Sequence, residues 1–111
     1  MAEQRTPRKH TETILLRDIL FACVGRNDLR IWRNNTGVAI SGSGKKIAFG
    51  LKGSSDLLGI LRGGRFLAVE TKSPTGRLTT EQQAFRSMVE NMGGLYILAR
   101  SVKEFTDALP Q

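Results

Sequence analysis

Cysteine and histidine are almost missing from this 111-residue chain, which has one of each, Cys23 and His10. A single cysteine excludes an internal disulfide, and a single histidine leaves no ligand set for a structural zinc site. Triads built on cysteine or histidine go with them unless His10 serves, and that residue sits in a polar, basic leader where it reads as solvated. Acid is scarce too: 17 Lys and Arg stand against 10 Asp and Glu, a formal net charge of +7. No long apolar run exists. The longest, Ile19 to Val24, has six residues, far below the ~20 that span a bilayer, and no signal-peptide pattern opens the chain. Carboxylate, lysine or hard-metal chemistry remains, in a protein expected in the cytoplasm and attracted to polyanions such as nucleic acid.

What is present fits one globular domain, with 40% hydrophobic and 24% charged residues. The expected division is a basic flexible leader over residues 1–10 and a single domain over 11–111. The leader reads equally as a frayed terminus and as a basic arm on a phosphate backbone. Positive charge concentrates early: residues 1–53 carry ten basic and four acidic side chains, residues 54–111 seven and six. The first half is therefore the polyanion-facing half.

Periodicity predicts the elements. Thr11 is a plausible N-cap for a helix to about Val24, with Leu15, Leu16, Ile19, Leu20 and Cys23 on its apolar face and Gly25 as its stop. Glu12 precedes Leu15, Leu16 and Ile19 by three, four and seven residues, so its carboxylate shares that face near the edge. It reads equally as a first-turn acid favoured by the helix dipole. Leu29 to Asn35 suits a strand, and Val38 to Gly50 a hairpin with tip SGSGKK. The tip is no phosphate loop, because the G-x-x-x-x-G-K-[ST] spacing is missing, so no nucleotide cofactor is expected. Asp56 to Leu61 and Arg65 to Lys72 are apolar enough for central strands covered on both faces. A helix follows from Thr79 or Thr80 to Met92, with Phe85, Val89 and Met92 inward, then a buried strand over Leu95 to Arg100 and a short helix capped by Ser101.

The hairpin of those two apolar strands carries the chemistry. With Arg62, Gly63 and Gly64 as its loop, Leu61 faces Arg65 and Asp56 faces Glu70, their Cβ atoms roughly 5 Å apart on one face. Two carboxylates so close, beside Leu57, Leu58, Ala68 and Val69, repel each other and are partly desolvated. A divalent cation such as Mg²⁺ or Mn²⁺ would compensate, with the Thr71 backbone carbonyl as a further ligand. Lys72 shares the face of Glu70 two residues earlier and can orient or activate water. Acid, acid, lysine and metal suit phosphodiester hydrolysis. Gln82 lies three, seven and ten residues before Phe85, Val89 and Met92, so its amide points inward and needs a partner at the same site. As a bare string, Asp followed by [DE]-x-K is weak, and Glu70 with Lys72 reads alternatively as a surface ion pair. Its place at the end of an apolar strand, as the only acid followed two residues on by lysine, favours the site.

The stretch GSSDLLGILRGGRFLAVETKSPTGRLTTEQQAF, preceded by IWRNNTG, resembles the virus-type replication-repair nuclease (VRR-NUC) domain of the PD-(D/E)XK nuclease superfamily. The resemblance implies an α/β fold with a restriction-endonuclease-like αβββαβ core, a mixed central sheet flanked by helices, here with an added hairpin. It implies Mg²⁺- or Mn²⁺-dependent cleavage, with Asp56, Glu70 and Lys72 as motif residues, Glu12 as the first-helix acid and Gln82 as the glutamine after the lysine strand. Ser55 stands where a proline is common, away from the chemistry. Single-domain members similar to this chain are phage or bacterial proteins that dimerise and cut four-way DNA junctions. The expectation is thus a structure-selective endonuclease resolving Holliday junctions as a twofold homodimer. Arg30, Arg33, Lys45, Lys46, Lys52 and Arg77 are candidate DNA-backbone contacts, each equally readable as a solvated charge. Two rivals stand beside it: a DNA-binding module that does not cut, and a monomeric nuclease acting on flaps or nicks.

Overall fold

The computed structural model describes residues 8–111, with side chains from Thr11 onward. In chain order the elements are α1 (Arg8–Ala22), β1 (Leu29–Arg33), β2 (Gly37–Ile40), β3 (Lys46–Phe49), β4 (Leu57–Leu61), β5 (Phe66–Thr71), α2 (Thr80–Asn91), β6 (Leu95–Ala99) and α3 (Val102–Ala108). The first helix starts at Arg8, so Thr11 is not its N-cap: Arg8, Lys9 and His10 extend it by a turn. None of these three residue types resists helix. Residues 1–7 of the expected leader lie outside the described residues.

Four strands form the central sheet in the order β1-β4-β5-β6, and β2 with β3 makes a separate two-stranded hairpin. The sheet is mixed. β4 pairs antiparallel with both β1 and β5, whereas β6 pairs parallel with β5 after the α2 crossover. The β4–β5 loop has the predicted three residues: Leu61 N–H donates to Arg65 O at 2.8 Å and Gly64 N–H to Leu61 O at 2.9 Å. Gly63 and Gly64 both have positive φ, 94° and 92°, a backbone state that residues with a Cβ rarely adopt. That loop sets the register Leu57↔Val69, Leu58↔Ala68, Gly59↔Leu67 and Ile60↔Phe66, and one more step outward faces Asp56 with Glu70.

Alternation on the strands divides the core into two layers. Leu57, Leu61, Leu67, Val69, Ile97 and Ala99 pack under Leu16, Ile19 and Cys23 of α1 and Phe105 of α3. On the opposite face Ala68 and Tyr96 meet Phe85 and Val89 of α2, with Leu58, Leu78 and Leu98 at the margin. Ile19, Leu57, Leu67 and Phe105 are fully buried, each contributing about 1.5–3 kcal/mol of transfer free energy. β5 is covered on both faces from Leu67 to Thr71, as predicted, but its first residue Phe66 and the cross-strand partner Ile60 on β4 are exposed. The short α2 covers β5 and β6 and meets β4 only at Leu58.

Met92 departs from the inward position given to it, being 84% exposed. The helix ends at Asn91 and Met92 is its C-cap, with Gly93 turning the chain at φ 90°. Helical periodicity has no meaning beyond that point. The final helix begins as predicted, with the Ser101 side chain accepting from Glu104 N–H.

Candidate active site

Glu70 sits near the end of β5, on the face that also bears Ala68, and is 3% exposed. Leaving water disfavours its charge, and the Asp56 carboxylate beside it adds repulsion. Together with a side-chain hydrogen bond to Asp56 they push the Glu70 carboxyl up to about 9, with Lys72 pulling it down and Glu12 raising it further. One oxygen, Oε1, accepts from Gln82 Nε2 at 3.3 Å, while no N–H or hydroxyl group donates to the buried Oε2.

Asp56 lies one residue before β4 and is half-buried. Where the β4–β5 ladder would continue, the side chain takes over: Asp56 Oδ2 accepts from Thr71 N–H at 2.9 Å and Thr71 Oγ1 at 2.7 Å. The N–H and C=O of one strand residue leave on the same edge, so the Thr71 carbonyl also faces the Asp56 side. The approach of Asp56 is held from behind by Asn34, just past β1. Its backbone N–H donates to Asp56 O at 2.9 Å, and its Nδ2 donates to Ser54 Oγ and Ser55 O at 2.7 and 3.0 Å. Ser55 is buried, and its hydroxyl donates to Leu57 O at 2.9 Å.

Lys72 continues the β5–β6 ladder through its N–H to Ala99 O at 3.1 Å. Glu12 reaches across from α1, where its Oε1 accepts from Ser73 N–H at 3.2 Å. Gln82 has two duties. Its Oε1 accepts from Thr79 N–H at 2.9 Å while the Thr79 hydroxyl accepts from Gln82 N–H at 3.1 Å, a capping box that starts α2 and leaves Nε2 for Glu70. The fold thus gathers Glu12, Asp56, Glu70, Thr71, Lys72 and Gln82, drawn from α1, the entry to β4, β5 and α2.

Three residues beyond the sequence reading belong to this neighbourhood. Asn34 carries the Asp56 approach. Tyr96, on β6, has a buried hydroxyl with no partner, raised in pKa by burial and then by the Glu70 carboxylate. Arg100 bonds the loop after Lys72, with Nη1 2.6 Å from Ser73 O and 2.8 Å from Gly76 O. The strand predicted over Leu29 to Asn35 gives no signal that singles out Asn34. Tyr96 and Arg100 read as a core aromatic and a strand-end charge.

The candidate DNA contacts are dispersed. Arg30, Arg33, Lys45, Lys46 and Arg77 are exposed, and none forms an ion pair among the described residues. Lys52 is 3.8 Å from Glu81, an exposed pair that partly offsets its charge. Arg33 pairs with Leu57, next to Asp56, and Arg77 follows Gly76. Lys45 and Lys46 occupy the distal end of the β2–β3 hairpin.

A mixed sheet flanked by helices, with an αβββαβ core and paired acids and a lysine at the end of two central strands, defines the PD-(D/E)XK-like class of nuclease fold. The VRR-NUC domain family model matches residues 2–103, and the chain belongs to that family. It is a nuclease-type, DNA-processing domain. A comparison with curated proteins found no match. No helix of the described residues is long and apolar enough to cross a membrane.

Proposed function

We propose that this protein is a divalent-metal-dependent, structure-selective endonuclease that hydrolyses phosphodiester bonds in branched DNA, including four-way junctions, as a homodimer. The observation that carries the proposal is the Glu70 carboxyl, buried at the end of β5 and facing the second acid, Asp56, across the β4–β5 register. A pair like this is costly in an apoprotein and suits a site completed by a cation.

The donor set fits Mg²⁺ or Mn²⁺. No group of three His, Cys, Asp or Glu side chains among the described residues is placed to hold an ion unaided. Asp56, Glu70 and the Thr71 carbonyl would therefore hold it together with water and substrate phosphate, as Mg²⁺ commonly binds. When bound, the ion would supply Lewis acidity to the phosphoryl oxygens and lower the pKa of water. The chain's own residues do the rest. Thr71 fixes Asp56 in one orientation, and Gln82 donates to Glu70. Lys72 presents its ammonium toward the scissile phosphate and the attacking water, while Glu12 is tied to the backbone directly after Lys72. Arg30, Arg33, Lys45, Lys46, Lys52 and Arg77 supply phosphate contacts.

The hairpin supports the dimer. Val38, Ile40, Ile47 and Phe49 are all exposed, on both faces of a two-stranded sheet, and such a hairpin is marginal alone in water. Two cuts across a symmetric junction also require two active sites.

The test is a panel of labelled duplex, flap, fork and four-way junction DNA with Mg²⁺ or Mn²⁺ at two salt concentrations, beside sedimentation at micromolar protein. Junction cleavage that stops with EDTA and with Glu70→Ala supports the proposal. Cutting by Glu70→Ala at the wild-type rate removes the site assignment, binding without cutting points to a DNA-binding module, and flap cleavage by a monomer replaces the junction reading.

A further inference from the structure

We infer that Arg100 is a positioning residue for this site: by clamping the Ser73–Gly76 loop, it fixes the placement of Lys72 and Glu12. This rests on the nuclease reading above.

Arg100 stands between the end of β6 and the N-cap of α3. Its backbone is pinned there, the N–H donating to Glu104 Oε2 at 2.8 Å. From that anchor the guanidinium spans to the loop that follows β5. One nitrogen, Nη1, donates to both Ser73 O and Gly76 O, and Gly76 N–H closes the turn on Ser73 O at 3.1 Å. Arg100 forms no ion pair among the described residues. A half-buried guanidinium directed at two carbonyls fixes where that turn sits.

The turn in question abuts two candidate catalytic side chains. Ser73 donates its N–H to Glu12 Oε1. Gly76 is buried, and a Cβ there would lie 3.3 Å from Lys72 Cδ, 3.4 Å from Glu12 Oε1 and 3.1 Å from Ser73 Oγ. A methyl at Gly76 would therefore crowd the Ser73 hydroxyl, the Lys72 stem and the Glu12 carboxylate, which would have to give way by a few tenths of an ångström. If Arg100 lets go of the two carbonyls, the turn is free to lift, and with it go the Glu12 anchor and the neighbour that confines the Lys72 stem. Small displacements of this kind act on the chemical step rather than on DNA binding.

The test compares Arg100→Met, Arg100→Lys, Gly76→Ala and the double variant Arg100→Met/Gly76→Ala in the full chain, assayed well below each melting temperature. Expected for Arg100→Met is a kcat lowered about 10- to 100-fold with KM within about threefold, as suits misplacement near the reacting atoms. Arg100→Lys restores part of the rate, because an ammonium can donate to both carbonyls. Gly76→Ala shows a similar loss, and the double variant loses less than the product of the two, since both act on one turn. In the protein without metal or DNA, amide exchange at Ser73 and Gly76 accelerates in Arg100→Met. A wild-type kcat in Arg100→Met, equal effects on KM and kcat, or unchanged exchange at both amides would overturn the inference. Failure of the wild type itself to cut any DNA defeats the nuclease reading instead, and the exchange measurement then decides the clamp alone.

Discussion

Asp56 accepts two hydrogen bonds from Thr71 through a single oxygen, Oδ2. The contact replaces a rung of the β4–β5 ladder, so Asp56 is tied to the strand that carries Glu70 as firmly as a backbone group would be. The two acids cannot relieve their repulsion by rotating apart. Thr71→Val, nearly isosteric, keeps the backbone bond and deletes the hydroxyl one. Hydrogen bonds to charged groups contribute about 1.5–3 kcal/mol, so the melting temperature should fall, and cleavage with it. An unchanged rate would show that Asp56 does not depend on this anchor.

Glu70→Gln separates function from stability. The amide preserves shape and is neutral without taking up the proton that burial and Asp56 impose on the acid when the chain folds. Cleavage should drop at least ~100-fold, while the metal-free protein should melt higher at pH 8 than the wild type. A variant less stable than wild type at that pH contradicts the account of Glu70 as a strained acid.

The sign of the pH dependence follows from the same group. The carboxyl titrates at about 9 in the folded protein and near 4.5 in the unfolded chain, so across that interval the folded state holds the extra proton. Its contribution to stability is complete below pH 4.5 and is lost as pH rises towards 9. Metal-free protein should therefore melt progressively lower over this range, with that component missing in Glu70→Gln. Added Mn²⁺ competes with the proton and should raise the melting temperature more at pH 8.5 than at pH 6. Equal Mn²⁺ shifts at both values would exclude Glu70 as a ligand.

Asn34 offers a test of the support behind Asp56. Asn34→Ala removes two side-chain hydrogen bonds to the Ser54–Ser55 approach and keeps the backbone bond to Asp56. Stability should fall by about 1–2 kcal/mol, visible in urea titration. Cleavage should fall further than that loss explains. A rate equal to wild type would confine Asn34 to a structural role.

Gly53 reports on the other side of the site. Its φ is +84°, and a Cβ would run into Glu81 O in the first turn of α2. Gly53→Ala should destabilise by about 1–3 kcal/mol and weaken cleavage by displacing the turn that carries Gln82. Wild-type melting would show that this close approach is dispensable.

Much of the geometry was legible because strand arithmetic is rigid. A three-residue glycine loop fixes the pairing of every residue on β4 and β5, and Asp56 opposite Glu70 follows from it. Glu12 and Gln82 were legible for a related reason, since helical spacing alone placed both on inward faces. The start of α1 was not, because Thr11 is a good cap and yet Arg8 to His10 are compatible with helix. Met92 failed because periodicity was carried one residue past the helix end. Asn34 and Arg100 act through backbone groups of distant segments, which leave no pattern in their own neighbourhood. The Asp56–Thr71 bond depends on where a ladder stops, and that depends on packing around Ser55.

The capping box of α2 has one more consequence. An isolated glutamine amide has two interchangeable ends, and near a carboxyl group either end can be presented. Here the oxygen end is spent on starting the helix, so the nitrogen end alone can face Glu70. The amide has polarity by construction: it favours the ionised acid over the protonated one. Each time the helix nucleates, the site acquires a donor already aimed at the charge it will need to carry.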